Sequence, residues 1–388
     1  MQSKAFWRDL RFLQLLVQVM FVLVVAVAAG ILYANVQKNL ARLGLSVGYD
    51  FLGNPASFDI GESFIPYQAS DPYHRAILVG IVNTLVVSAL GILMATVVGT
   101  VAGVARLSSN WLVNQLAAAY VGVIRNTPLL IQLMFWYFGV ILQLPAVREA
   151  ITFPGPVYLS KRGVYIPWLQ GTATFEQWLS YVWLALLSIV LIWALFTFIA
   201  RRSGRPLPLY TYLAYLLVPA LILAFGAMIQ PEFPLEADIP ALSGLNFKGG
   251  QTLTPEFAAL LVGLVVYTGA FIAEVVRGGI QAVAKGQTEA ARSLGLNNGQ
   301  TLRLVIFPQA LRVIIPPMTS QYLNLAKNSS LAIAIGYPDL FSIAGTVFNQ
   351  TGAAVEIVMI MMLSYLAMSL FTSLLMNIYN SRSRLVER

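Results

Sequence analysis

The sequence contains no cysteine and a single histidine, His74. Disulfides, thiol catalysis, iron–sulfur clusters and Cys-ligated zinc are therefore excluded, as are His-rich metal sites and His-dyad catalysis. No metal site is expected. Charge is scarce as well: 10% of residues are charged, against about 25% in a typical soluble domain. Apolar residues take up the room, at 58% of a 388-residue chain with a mean hydropathy of +0.74. A soluble globule of this composition could not cover its surface with polar side chains, so the chain reads as an integral membrane protein. Intrinsic disorder, which needs low hydrophobicity and high charge, is excluded. The apolar residues come in long blocks rather than strict alternation, which argues against an outer-membrane barrel. The net charge of +8 has a plain source in the Lys and Arg that gather in cytoplasmic loops of membrane proteins. No nucleic-acid partner is expected.

A span needs about 20 mainly apolar residues to cross roughly 30 Å of hydrocarbon. Eight candidates lie near 12–33, 78–104, 116–142, 180–200, 209–229, 256–276, 309–332 and 354–378. The first follows Lys4, Arg8 and Arg11 like a signal peptide, but its apolar run is long and no clean cleavage site follows, so it reads as a retained anchor. With both termini inside, the cytoplasmic segments hold Lys4, Arg8, Arg11, Arg106, Arg201, Arg202, Arg205, the five basic residues from Arg277 to Arg312, and Arg382, Arg384 and Arg388. That is 15 of the 24 basic residues, as the positive-inside rule requires. The expected fold class is all-α: a polytopic membrane protein of about eight transmembrane helices. Gly80, Ser88, Gly91, Gly99 and Gly103 along one span suit close helix packing. Outside loops 34–76, 145–179 and 230–255 are rich in Pro, Gly and aromatic residues and are expected to fold against the membrane face.

The longest strongly polar cytoplasmic segment runs from Arg277 to Arg312. Thr288 followed by Glu289 reads as a helix start. Gly295 suits the helix stop, and Asn297, Asn298 and Gly299 are turn formers. Gln300 to Ile306 reads as a second short helix, with Pro308 at its end or at the entry to the next span. The result is a helical hairpin that is either a docking element or an ordinary amphipathic loop.

These residues resemble a family. Glu289-Ala290-Ala291, then Gly295, then Val305-x-Phe307-Pro308 looks like the EAA loop of ATP-binding-cassette importer permeases, where Ile-x-Leu-Pro is the usual ending. Ala273-Glu274-Val275-Val276-Arg277-Gly278-Gly279-Ile280 upstream and Asn324-Leu325-x-Lys327-Asn328-Ser329-Ser330-Leu331 downstream are similar to segments of polar amino acid permeases. So is Arg125-Asn126-Thr127-Pro128-Leu129-Leu130-Ile131-Gln132-Leu133, with Asn126 in place of the usual Gly. The resemblance covers about 78–143 and 256–380, and the whole chain resembles the long permease subunits of general L-amino acid importers of type I. It implies three segments: an anchor with its outside loop over 1–77, a permease domain over 78–380 with a two-span insert near 144–255, and a basic cytoplasmic tail over 381–388.

The resemblance further implies a permease subunit that moves amino acids across the bacterial inner membrane. No Lys follows a Gly, so there is no phosphate-binding loop. The chain itself is then not an enzyme and carries no cofactor, with ATP and Mg on a separate ABC ATPase dimer. Glu289, Ala290, Ala291, Gly295 and Pro308 would couple to that ATPase. The other implied partners are a second, related permease subunit in a heterodimer, a periplasmic amino acid-binding protein and membrane lipid. Ionisable groups within spans are functional candidates by default. Arg125, Asn126, Thr127, Gln132, Glu274, Asn324, Lys327, Ser329 and Ser330 are candidates for the substrate path. For Arg125 and Lys327 an internal salt bridge or helix-end contact stands as the alternative. An ion-gradient-driven secondary transporter is the competing function, and an intramembrane enzyme is a third. The secondary transporter lacks repeated halves here. The enzyme lacks a nucleophile elbow and paired carboxylates.

Overall fold

The computed structural model of the chain describes residues 10–42, 48–203 and 209–383. The charges expected at Lys4, Arg8, Arg205, Arg384 and Arg388 lie outside these residues, as does most of the 381–388 tail. Contacts divide the chain into two compact units, Met1–Trp136 with Leu260–Arg388, and Tyr137–Ala259.

In the first unit, α1 spans Leu10–Arg42. No side chain of its apolar window is buried, the condition of a helix that lipid must cover. Next come α2 (Tyr73–Ala105), α3 (Trp111–Arg125) and α4 (Leu129–Met134). The second unit carries α5 (Phe175–Ser203) and α6 (Leu209–Ile229), which pack on each other. Back in the first unit, α7 (Pro255–Gln281) enters from the second and is followed by α8 (Lys285–Ser293), α9 (Asn298–Thr301), α10 (Phe307–Asn328), α11 (Leu340–Thr351) and α12 (Ala354–Ser383). Among the described residues six helices are long and apolar enough to cross a membrane, or seven when the bent pair α3–α4 is counted as one span. The shorter apolar stretch Leu213–Ile229 lies in α6, so the count is roughly consistent with the expected eight.

The second unit also holds short strands that no periodicity announced. A four-stranded antiparallel sheet has the order β1 (Ile151–Phe153), β2 (Val157–Ser160), β3 (Gly163–Ile166), β8 (Gln251–Leu253). Strands β4 (Trp168–Gly171) and β5 (Leu235–Asp238) pair, as do β6 (Ala241–Ser243) and β7 (Asn246–Lys248). Phe247 stacks on Tyr158 at 4.4 Å between ring centroids and lies 4.5 Å from Tyr165. The expected insert near 144–255 lies within this unit. The boundary expected at residue 77 falls inside α2. Residues 51–67 pack with α2 and α11 in one core built on Ala56, Tyr73, Val79, Leu340 and Val347.

The first unit is assembled on α2. Its small residues Gly91, Ala95, Gly99 and Gly103 recur every four residues or a multiple of four and are all buried. They make one stripe on the helix. A Cβ at Gly99 would stand 2.5 Å from Cβ of Ile272 and 2.7 Å from the Gly269 carbonyl, and one at Gly103 would stand 2.6 Å from the Ala273 carbonyl. Only glycine allows α2 and α7 to come this close. A Cβ at Gly80 would likewise stand 2.9 Å from the Leu340 Cα. Polar groups lock that end of α2 to α11. Thr84 Oγ1 accepts from the Leu340 amide at 3.0 Å, and Asn83 Nδ2 donates to the carbonyls of Pro338 and Glu62 at 2.9 and 2.8 Å. Asp339 caps α11 by accepting from the Ser342 amide at 2.9 Å. Burial pushes its carboxyl up to about 6.

Gly99→Leu should therefore lower the thermal midpoint in detergent, at a cost of about 1–3 kcal/mol or more. Gly278→Ala, in α7 with open space around its Cβ, should leave the midpoint unchanged or raised. Equal melting of Gly99→Leu and the wild type would contradict the packing assigned to this stripe.

Candidate functional site

The Arg125–Gln132 motif builds a break in a helix. Pro128 has no amide hydrogen and disfavours helical geometry in the residue before it, so α3 ends at Arg125 and α4 starts at Leu129, with a bend of 107° between Trp111–Arg125 and Leu129–Gln143. The carbonyls left at the end of α3 need donors, and the motif supplies them. Asn126 Nδ2 donates to the Gly122 carbonyl at 2.7 Å and Thr127 Oγ1 to that of Val123 at 2.9 Å. The buried Gln132 donates from Nε2 to the carbonyls of Ile124 and Thr127, both at 2.9 Å. Asn126, Thr127 and Gln132 therefore hold the break itself.

At this break Arg125 reaches α7. Glu274 gathers three guanidinium groups. Arg106, on the connection after α2, and Arg277, one turn along α7, are bound directly to its two oxygens. Arg125 Nη1 stands 3.8 Å from Oε2, and its guanidinium lies over the Phe271 ring at 5.2 Å. Arg125, Asn126, Arg106, Glu274 and Phe271 line a pocket of about 330 Å³. A second pocket of about 270 Å³ shares Phe271 and is walled by Tyr267, Thr268, Gln321, Asn324 and Asn328.

Of the expected path residues, Arg125, Asn126 and Glu274 come together in the first pocket and Asn324 lines the second. Lys327 is exposed near the end of α10 and lines neither. Ser329 Oγ donates to the Ala326 carbonyl at 2.9 Å and Ser330 Oγ to that of Lys327 at 2.8 Å, so both hydroxyls serve their own helix end. Arg106, Phe271, Tyr267 and Gln321 had no assigned role. For Tyr267, Phe271 and Gln321 the signal is periodic: Tyr267, Phe271 and Glu274 fall at i, i+4 and i+7 of α7, and Gln321, Asn324 and Asn328 at i, i+3 and i+7 of α10, whereas Arg106 on its connection belongs to no such series.

The polar segment is a hairpin, but α8 starts at Lys285 rather than at Thr288. The extended Ala284 turns the chain four residues early, with the Gln287 amide bonded to its carbonyl at 3.0 Å. The helix ends in a Schellman arrangement. The Leu296 amide reaches the Ala291 carbonyl at 3.2 Å, the Gly295 amide reaches Arg292 at 2.9 Å, and Gly295 sits at φ +81°. Asn297 and Gln300 form a capping box at the start of α9. A π-turn over Leu302–Ile306 then leads into α10. It includes Leu304, whose carbonyl Pro308 would crowd in a regular helix. Pro308 therefore stands in the first turn of α10, inside a continuous helical run over Asn298–Ile335. Gln309 Nε2 donates to Gln287 Oε1 at 3.1 Å and ties α8 to α10. Ala291 is buried and faces inward, while Glu289, Ala290, Gly295 and Pro308 are exposed.

The spans and this rigid hairpin define a multi-pass membrane transport subunit. Residues 207–385 match the family of binding-protein-dependent transport system inner membrane components. The amino-acid ABC transporter permease protein YhdX of Escherichia coli is 48% identical over 380 residues, which cover 96% of this chain and 94% of that one. The general L-amino acid transport system permease protein AapQ of Rhizobium johnstonii is 44% identical over 358 residues, covering 91% and 88%. The glutamate/glutamine/aspartate/asparagine transport system permease protein BztB of Rhodobacter capsulatus is 38% identical over 419 residues, covering 98% and 96%. The chain belongs to this family of ABC transporter permease subunits, and the secondary-transporter alternative falls away.

Gln132→Leu removes the side-chain donor of the Thr127 carbonyl and leaves the Ile124 carbonyl with backbone donors alone, the Thr127 amide at 3.3 Å among them. It should destabilise the bundle by about 2 kcal/mol, read as a lowered thermal midpoint in detergent. Gln132→Glu, whose ionised carboxylate cannot donate, should behave alike. A wild-type midpoint for both would show that the amide does not hold the break.

Proposed function

We propose that this chain is a permease subunit of a bacterial inner-membrane importer for amino acids. The substrate class follows the relatives, which are general or acidic and amide amino acid transport permeases by name. Both termini and the α8–α9 hairpin lie in the cytoplasm, and residues 48–72 and the strands of the second unit lie outside.

The observation that carries the coupling role is the hairpin. The turn between its helices is fixed on one side by the Schellman arrangement that ends α8 and on the other by the capping box that starts α9, and α8 turns Glu289 and Ala290 outward. A small, rigid, exposed helix is what a groove on another protein can accept. We assign that groove to a separate ABC ATPase dimer holding ATP and Mg. Closure of the ATPases then moves the hairpin and, through the continuous run from α9 into α10, the helices that line the pockets. Such switching is a rigid-body change between two packed states. A second, related permease completes the pair, and a periplasmic binding protein delivers the amino acid to the outside face.

Gly295→Leu tests this. The left-handed backbone at Gly295 disfavours a side chain, and the surroundings are open, so the turn after α8 should change while the bundle stays folded. ATP-driven uptake in proteoliposomes should fall at least tenfold, with ATP hydrolysis persisting and the thermal midpoint retained. Wild-type uptake by this variant would contradict the coupling assignment.

A further inference from the structure

The ion cluster around Glu274 is out of balance. One carboxylate faces Arg106, Arg125 and Arg277. Its two oxygens are taken by direct bonds to Arg106 and Arg277. Arg125, at 3.8 Å, lies beyond the about 2.7–2.9 Å of a charge-assisted hydrogen bond. Its side chain is 40% exposed against 22% for Arg106 and 28% for Arg277. Arg125 is thus a guanidinium held in place by an aromatic face and a distant charge, and among the described residues its donor fork makes no hydrogen bond. A planar fork is suited to a carboxylate.

The second pocket differs in kind. Its lining carries amides, hydroxyls and aromatic rings, and no charged residue. An ionised side chain placed there would be desolvated without a counter-ion, whereas a neutral polar one finds donors and acceptors. Phe271 lines both pockets.

We propose that Arg125 is the anchor for the α-carboxylate of a free amino acid, and that the uncharged pocket beyond Phe271 selects side chains that are neutral and polar. In the empty site Glu274 stands in weakly as the counter-ion of Arg125. The incoming carboxylate completes the charge balance. This assignment rests on the importer reading and deepens it by giving the site a polarity and a preference.

The test is equilibrium binding to the assembled transporter complex in detergent, without binding protein. The probes are glutamine, glutamate and glutaminol, in which the α-carboxylate is replaced by an alcohol. Wild type should bind glutamine at least tenfold more tightly than glutaminol and more tightly than glutamate. Arg125→Gln should bring glutamine and glutaminol within about twofold of each other. Should that variant fail to assemble, Arg125→Lys, which keeps the charge and loses the fork, should cut the discrimination at least threefold. Glutaminol binding as tightly as glutamine to wild type, or wild-type discrimination in either Arg125 variant, overturns the anchor. A preference for glutamate over glutamine overturns the neutral pocket. ATP-driven glutamine uptake by wild type in proteoliposomes is measured alongside. Its absence counts against the importer reading, while uptake together with unaltered discrimination counts against the anchor alone.

Discussion

The near contact of two helix backbones, α2 against α7, is the interaction on which the rest of the first unit depends. Gly99 and Gly103 leave no side chain between them, and the Gly269 and Ala273 carbonyls lie where a Cβ would have to go. In hydrocarbon there is no hydrophobic force to join helices, so association rests on packing of this kind. The approach also sets the chemistry. Arg106 follows Gly103 by one turn, and the close approach of α2 to α7 at Gly99 and Gly103 places it beside Glu274. A wider spacing would take Arg106 away from Glu274 and leave the carboxylate with Arg277 and the more distant Arg125.

A second constraint acts at helix ends. Backbone carbonyls without partners are costly away from water, so a helix can stop inside the bundle only where side chains take over. Asn126, Thr127 and Gln132 do this at the end of α3. At the hairpin the backbone solves the same problem alone, through the left-handed Gly295. The two devices suit their places. The side-chain caps fix a broken helix beside the ion cluster, and the compact glycine turn leaves the exposed face of α8 clear for a partner.

Much of this was legible in the residues. Long apolar blocks gave the spans, the small-residue recurrence in α2 gave its packing face, and the motifs around Arg125, Glu289 and Lys327 pointed to the family. The function of individual polar residues was less legible, because a sequence does not say which way a side chain turns. Gln132, Ser329 and Ser330 read as path residues, and each donates a hydrogen bond to a nearby carbonyl. Ala291 read as part of a docking face and lies inward. The strands of the second unit escaped notice because each is three or four residues long and some pair across distant sequence, as Val164 does with Leu253. Such short strands leave no period to detect. The start of α8 at Lys285 depended on the turn at Ala284, which carries no capping residue to mark it.

The central claim is that α8 is the seat of a separate ATPase. Because the chain has no cysteine, a single one can be introduced and labelled alone. Ala290→Cys, on the exposed face of α8, and Gln68→Cys, exposed in the loop before α2, would each carry a photo-crosslinker in membranes holding the full transporter. The account requires an ATPase-sized adduct from position 290 and none from position 68. Absence of that adduct at 290, or equal yield at both positions, would contradict it.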